Sequence, residues 1–263
     1  MLYSLVRLSA SLLTLGFIMM SSAETVIVAH RGNSSESPEN TLASIRSALA
    51  MDPRPAYVEI DLHRSLDGVL VVSHDDDTLR ITGVPGMIRE RPFAELRKLD
   101  AGYRSEFGDA FKGEFLPRLE EILDAVRNTP VGVMIECKQL LLEEAVVSLL
   151  RNREELGKHV LASFDELTLY RARQLEPKLR TLYLVDEVNP TVIWRAKDIS
   201  ANTIGTNKKT TLQSIRDAHS AGLVLWVWTV DDPTEMTQWI QAGVDGLITN
   251  KPAVAIRMVK SRP

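Results

Sequence analysis

Two histidine-centred segments, His30-Arg31-Gly32 and Ser73-His74-Asp75, bracket an acidic pair carried on Glu59-Ile60-Asp61. The imidazoles are proton-transfer groups that change charge near neutrality, and the Arg31 guanidinium offers a planar fork of donors that matches phosphate oxygens. Carboxylates one residue apart face the same way on a β-strand. Together these groups point to metal-assisted cleavage of an anionic ester.

The elements that must position them alternate between short β-rich runs and amphipathic helices after residue 24. Strands are predicted at 25–29, 57–61, 131–136, 160–163, 180–184, 202–204, 224–228 and 245–249. Helical patterns fill the gaps, among them 41–50, 118–127, 143–156, 210–221 and 233–242. Eight strands each followed by a helix fit an α/β fold, a (β/α)8 TIM barrel, whose usual length is roughly 250 residues. The apolar run 69–73 is a ninth strand by pattern, but only a turn at 65–68 containing Asp67-Gly68 separates it from the second. So short a link makes an antiparallel hairpin, because a parallel crossover needs about a dozen residues or more. The second strand therefore runs past the barrel rim, and its return brings His74 back to the mouth. The stretch 82–115 reads as a small insertion before the second helix, too short for a core of its own, so 24–263 is one domain.

Strand alternation then sorts the side chains. Tyr57, Glu59 and Asp61 face the interior while Val58, Ile60 and Leu62 pack on helices. Val26, Val28 and His30 point inward on the first strand, Met134, Glu136 and Lys138 on the third, and Trp226 with Trp228 on the seventh. The polar members fall at C-terminal strand ends, the face where barrel enzymes build their sites. Glu59, Asp61 and Glu136 would repel one another there, and a divalent cation relieves this; all-oxygen ligands favour Ca²⁺ or Mg²⁺ over Zn²⁺. The competing reading is an ion-pair network in which Lys138 and Arg31 neutralise the acids, but two cations cannot balance three acids and also hold an anion. His30 and His74 divide the proton transfers between nucleophile and leaving alkoxide. His63, His159 and His219 read as structural, with His63 close enough for a lesser substrate contact.

The chain has 263 residues, 44% hydrophobic and 25% charged, with a formal net charge of -4. That is ordinary globular composition, without the basic excess of a nucleic-acid binder. Arg7, the apolar run 8–20 and Ser21-Ser22-Ala23 have the layout of a secretory signal peptide over 1–23, cleaved after Ala23. The run is short for a spanning helix, which needs about 20 residues. A periplasmic or secreted chain follows as the expectation. Cys137 is the only cysteine, so no internal disulfide forms; it should point away from Glu136 and Lys138 as a buried thiol.

With these residues placed, the chain resembles the glycerophosphodiester phosphodiesterases. The resemblance spans His30-Arg31-Gly32, Pro38-Glu39-Asn40-Thr41, Glu59-Ile60-Asp61, the run 67–75 ending in Ser73-His74-Asp75, Leu116-Pro117, Glu136-Cys137-Lys138, Trp228-Thr229-Val230 and Gly243-Val244-Asp245-Gly246. One HRG tripeptide is weak evidence; the ordered series is specific. It implies a phospholipase-C-like barrel that hydrolyses glycerophosphodiesters to sn-glycerol 3-phosphate and an alcohol. It also implies His30 and His74 as acid–base pair, Glu59, Asp61 and Glu136 as metal ligands, Arg31 and Lys138 on the phosphate, and Trp228 near the glycerol. A cyclic phosphate intermediate and direct attack by water both stay open. Glu39-Asn40-Thr41 is expected to serve structure, with Asn40 or Thr41 capping the next helix. Asp231, Asn250 and Ile81 depart from the family pattern, which often has asparagine, aspartate and threonine there; none is expected to touch the chemistry.

Two rivals remain. A lysophospholipase D- or sphingomyelinase D-like enzyme would show a long apolar groove or an exposed apolar rim, for which Phe93, Phe107, Phe111 and Phe115 are candidates, although covering the barrel is their expected role. A non-catalytic periplasmic binding protein would have lost ligands or acid–base residues, and here all are present.

Overall fold

A computed structural model describes residues 24–102 and 106–260; the expected leader at 1–23 lies outside them. The first third of the fold runs β1 (Val26–Ala29), α1 (Leu42–Leu49), β2 (Tyr57–Arg64), β3 (Leu70–Val72), α2 (Leu79–Thr82), α3 (Phe93–Leu96) and α4 (Leu119–Val126). It continues with β4 (Gly132–Cys137), α5 (Glu143–Asn152), β5 (Val160–Ser163), α6 (Glu166–Leu175), β6 (Arg180–Val185) and α7 (Pro190–Asp198). The remainder is β7 (Thr203–Asn207), α8 (Leu212–Ser220), β8 (Val224–Trp228), α9 (Pro233–Ala242), β9 (Gly246–Thr249) and α10 (Pro252–Lys260).

Eight strands pair in parallel around a circle that the β1–β2 pairing closes, and β3 alone is antiparallel, with Leu62 opposite Val72. This is the (β/α)8 barrel with the expected hairpin on β2. Beyond shifts of one residue, two strand ends run past the sequence pattern. β2 continues to Arg64 because β3 supplies it with a partner. β7 runs on to Asn207, past Gly205, a residue that weakens strands in isolation. Here Gly205 faces inward, where a Cβ would sit 2.6 Å from a Leu182 methyl, so the neighbouring strand claims its space.

Strand alternation produces two separate cores. The outward set, including Val58, Ile60, Leu62, Val133, Ile135 and Cys137, packs against the helices. On α4, Leu119, Ile122, Leu123 and Val126 recur at helical spacing and bury the stripe that meets it. The inward set is smaller: Val28, Met134, Val160, Ala162, Leu182, Leu184, Trp226 and Ile248 plug the barrel. Tyr57 floors the plug, its hydroxyl 2.6 Å from Arg180 Nη1. Thr41, Asp165, Asn189, Thr211 and Asp232 cap the starts of α1, α6, α7, α8 and α9. Among the described residues no helix is long and apolar enough to cross a membrane.

The insertion is less bare than its sequence promises. Ile88, Leu96, Ala101 and Leu116 gather on Val71 of the hairpin in a satellite cluster. Its phenylalanines divide rather than cover the barrel together: Phe93 joins this cluster, Phe107 packs edge-on against Phe111, and Phe115 lies half in solvent beneath Arg97.

Candidate active site

The turn after β1 creates the first part of the site. Arg31 and Gly32 take successive left-handed conformations, with φ of 55° and 81°. A side chain on Gly32 would meet Ser44 Oγ at 2.5 Å, so the third position must be glycine. The turn aims the Arg31 N–H at Glu59 Oε2, 2.8 Å away, and Ser44 Oγ donates to the Arg31 carbonyl. The guanidinium reaches Glu39 Oε1 at 3.1 Å and Asp61 Oδ2 at 3.3 Å.

Opposite Arg31, β2 and β4 are in register, Asp61 beside Glu136. Ligand oxygens of Glu59, Asp61 and Glu136 all lie within 4.8 Å of one another. Lys138 Nζ donates to Glu136 Oε1 at 2.8 Å and stands 3.5 Å from Asp61 Oδ1. The ion-pair reading is thus partly realised, yet it leaves a deficit: Glu59 Oε1 and Asp61 Oδ1 are buried without a hydrogen-bond partner. Burial, then repulsion from Asp61 and Glu136, drives the Glu59 carboxyl well above its ordinary range. Burial and Asp61 push Glu136 up to about 7. Burial works the same way on Asp61, but Arg31 and Lys138 overcome it and hold that carboxyl low. Orphaned oxygen acceptors in a charge-deficient acid trio fit a divalent cation, and an all-oxygen donor set suits a hard ion.

Both histidines anchor through Nδ1. His30 Nδ1 is 2.7 Å from Asn250 Oδ1, and its Nε2 lies 3.8 Å from Glu59 Oε2. Burial, then the charge of Arg31, lowers His30 to about 4, so the ring is neutral at physiological pH. His74 Nδ1 is 2.8 Å from Asp75 Oδ1, and Asp75 is in turn held at about 2, where bonds from Arg80 and His74 outweigh its burial. One cavity of ≈ 230 Å³ is lined by His30, Arg31, Glu59, His74, Glu136, Lys138 and Trp228. Asp61, the remaining candidate, is fully buried and touches two of these seven. The Trp228 indole N–H is buried without a partner, and Phe164 packs edge-on against its ring. A larger hollow of ≈ 960 Å³ opens at the floor, around Arg54, Tyr57, Lys158 and Arg180, and is lined by no histidine.

The other histidines make bonds within the fold. His159 Nδ1 accepts from the Val133 N–H, and His219 pairs with Asp245 at 2.8 Å. His63 is buried, 3.1 Å from the His74 carbonyl and 3.2 Å from Gln139 Oε1, and so braces the strand that carries His74. Cys137 is buried on the outward face, and burial, then Glu143 and Glu136, pushes its thiol up.

Two expectations need correcting, and one residue was not anticipated. Asn250 does touch the proposed chemistry, since it holds His30, and Asp231 holds Asn250 at 2.6 Å. Glu39-Asn40-Thr41 is more than a helix start. Thr41 caps α1, but Asn40 Nδ2 donates to Asp61 Oδ2 at 2.8 Å, and Glu39 joins Arg31 to Arg80. Arg80 itself, bonded to Asp75 at 2.6 Å, carries no recognisable motif; only its spacing on the helix after His74-Asp75 hinted at it.

Residues 30–254 match the Glycerophosphoryl diester phosphodiesterase family. A glycerophosphodiester phosphodiesterase of Caldanaerobacter subterraneus subsp. tengcongensis is 31% identical over 90% of this chain and 98% of its own. Among solved structures, an Oleispira antarctica phosphodiesterase in complex with the product sn-glycerol-3-phosphate superposes with a TM-score of 0.80 at 28% identity, covering 90% of this chain and 97% of the other. A glycerophosphodiester phosphodiesterase of Agrobacterium tumefaciens str. C58 gives 0.78 at 29%, over 89% and 99%. Paired imidazoles above a buried acid trio, in a barrel that relatives match almost end to end, leave one assignment: this chain belongs to the glycerophosphoryl diester phosphodiesterase family.

Proposed function

We propose that the chain hydrolyses glycerophosphodiesters to sn-glycerol 3-phosphate and an alcohol, with His30 and His74 as the acid–base pair and Ca²⁺ or Mg²⁺ held by Glu59, Asp61 and Glu136. The observation that carries this reading is one cavity lined by both imidazoles, by Glu136 and by Glu59, whose buried Oε1 lacks a donor, with the orphaned Oδ1 of Asp61 packed behind them. A divalent cation bound there would withdraw charge from the phosphoryl oxygens as a Lewis acid.

Arg31 and Lys138 bind the diester's non-bridging oxygens and stabilise charge that grows on them. His30, neutral and with Nε2 turned to the cavity, accepts the proton of the attacking hydroxyl, either the glycerol 2-hydroxyl or water. The new P–O bond forms as the ester P–O bond to the alcohol breaks, and His74 delivers a proton to the departing oxygen. Water attack gives sn-glycerol 3-phosphate directly. Attack by the 2-hydroxyl gives a cyclic phosphate that a water, losing its proton to one histidine, then opens as the 2-oxygen leaves and takes a proton from the other. Trp228 packs on the glycerol and offers its indole N–H. Release of sn-glycerol 3-phosphate from glycerophosphocholine, followed with and without chelator, tests the whole reading. Failure to turn over any glycerophosphodiester in the presence of either cation would refute it.

A lipid-directed reading draws support from one feature. Leu140 and Leu141 on the loop after β4, Phe164 on the loop after β5 and Leu167 in the first turn of α6 are exposed, and Phe164 also lines the cavity between the histidines. Lysophosphatidylcholine turned over faster than glycerophosphocholine would favour it. We also infer export, supported by the leader-like 1–23; N-terminal sequencing of the mature protein should begin at Glu24.

A further inference from the structure

Behind His30 lies a chain of hydrogen bonds that fixes more than the ring's place. Asp231, just past β8, accepts from Thr249 Oγ1 at 2.9 Å and from the Asn250 N–H at 2.8 Å through Oδ1, and from Asn250 Nδ2 at 2.6 Å through Oδ2. An ionised carboxylate only accepts, so the Asn250 amide must turn its NH2 to Asp231 and its carbonyl oxygen to His30. Two groups approach that oxygen: His30 Nδ1 at 2.7 Å and Ser34 Oγ at 2.8 Å. Because a carbonyl oxygen carries no proton, the short contact with the ring is a hydrogen bond only if Nδ1 is protonated. The proton on Nδ1 leaves the Nε2 lone pair facing the cavity.

We propose that Asn250 and Asp231 are positioning residues that lock His30 into the Nδ1–H tautomer, with Asp231 acting through the amide rather than on the ring. This rests on His30 being the proton acceptor proposed above, and it goes beyond that reading by naming what sets the acceptor. Replacing Asp231 by asparagine makes the logic run backwards. The amide introduced at 231 keeps one oxygen for Thr249 and the Asn250 N–H, so its NH2 faces the Asn250 NH2. Asn250 must then rotate by half a turn, presenting its NH2 to His30 Nδ1. The ring shifts its proton to Nε2, and the lone pair that should accept from the nucleophile is gone. Exchanging both residues restores the order, since a carboxylate at 250 accepts from Nδ1–H and from the amide at 231.

The test is a cycle of Asp231→Asn, Asn250→Asp and the double exchange, assayed on glycerophosphocholine with saturating cation. Asp231→Asn is expected to lose kcat by at least ~100-fold with KM within about threefold, the scale of a lost acid–base group. The double exchange is expected to recover to within about tenfold of the parent. Nitrogen-15 NMR of the parent ring should show Nδ1 protonated and Nε2 bare, and the reverse in Asp231→Asn. Above one-tenth of parental kcat in Asp231→Asn, or a folded double exchange no better than that single, overturns the proposal. So does a parent ring protonated on Nε2 alone, and this last measurement stands even where a variant fails to fold or the parent turns over no diester.

Discussion

In its lower layers the barrel interior is filled by Val28, Met134, Val160, Leu182, Trp226 and their neighbours, all apolar and nearly closed to solvent. Towards the C-terminal strand ends and just beyond them, it holds His30, Glu59, Asp61, Glu136 and Lys138. The two layers answer to opposite requirements. Lower down, every side chain satisfies its neighbours: Gly246 leaves the room that the Trp226 indole fills, where a Cβ would come within 2.5 Å of the ring. Above, carboxylates are buried with oxygens that no donor meets, and the chain at Arg31 and Asn40 adopts left-handed conformations unusual outside glycine. Unmet polar groups and strained turns cost stability, and the apolar layers beneath supply what they cost. The difference teaches where each kind of substitution should act.

The largest effects belong to the upper layer and should leave the fold alone. His30→Ala and His74→Ala are each expected to lower kcat by roughly 10²- to 10⁴-fold, with circular dichroism and melting temperature close to the parent. A variant at half the parental rate would remove that histidine from the mechanism. The lower layer predicts the mirror image. Leu182→Ala deletes a fully buried side chain from the plug and should cost about 2–5 kcal/mol in urea unfolding, while turnover by the folded fraction stays within about threefold. Loss of rate without loss of stability at Leu182 would show that the layers are not separable.

Much of this division is legible from sequence. Period-two alternation on β2 and β4 separates Glu59, Asp61 and Glu136 from Ile60, Ile135 and Cys137, because strand geometry alone sends neighbours to opposite faces. The hairpin is legible too, since a four-residue link excludes a parallel return. What escaped are residues whose meaning lies in partners remote along the chain. Asn250 lies 220 residues from His30, and Asn40 sits 21 from Asp61, both in loops without periodicity. A polar residue in a turn reads as a cap or a solvated tip until closure of the barrel by the β1–β9 pairing brings Thr249 beside Ala29. The end of β7 escaped because Gly205 has poor strand propensity, and packing against Leu182 overrides it.

Proton linkage offers an intermediate effect. Burial and Asp61 raise Glu136 from its ordinary 4.5 to about 7, and Glu59 is raised as well. The folded, metal-free protein therefore holds protons that the unfolded chain has released, and its stability falls as pH rises from about 4.5 through 7. A cation must displace those protons at pH 5 but meets ionised Glu136 at pH 8. Added Ca²⁺ or Mg²⁺ should accordingly raise the melting temperature more at pH 8 than at pH 5, as read by scanning calorimetry. Glu136→Gln should flatten the decline, stabilise the metal-free protein at pH 8 by roughly 1–3 kcal/mol, and abolish the cation's effect on turnover. An equal or larger gain at pH 5 would mean that the acid trio is not where the cation binds.

The smallest effect is expected at Cys137, and it tests the comparison at its finest grain. Glu136, Cys137 and Lys138 are consecutive, yet the first and last line the cavity between His30 and His74 while the thiol is buried among the outward apolar set. If facing, rather than proximity along the chain, decides function, Cys137→Ala should cost roughly 1 kcal/mol of stability and change kcat by less than about twofold. The thiol's burial and its raised pKa keep it from reacting as a thiolate. Alkylating reagents should therefore leave turnover of the native protein intact until it unfolds, whereas Lys138→Ala, one position on, should weaken phosphate binding and raise KM. Rapid inactivation by a thiol reagent under native conditions, with Cys137→Ala resistant, would show that the outward face of β4 is coupled to the site after all.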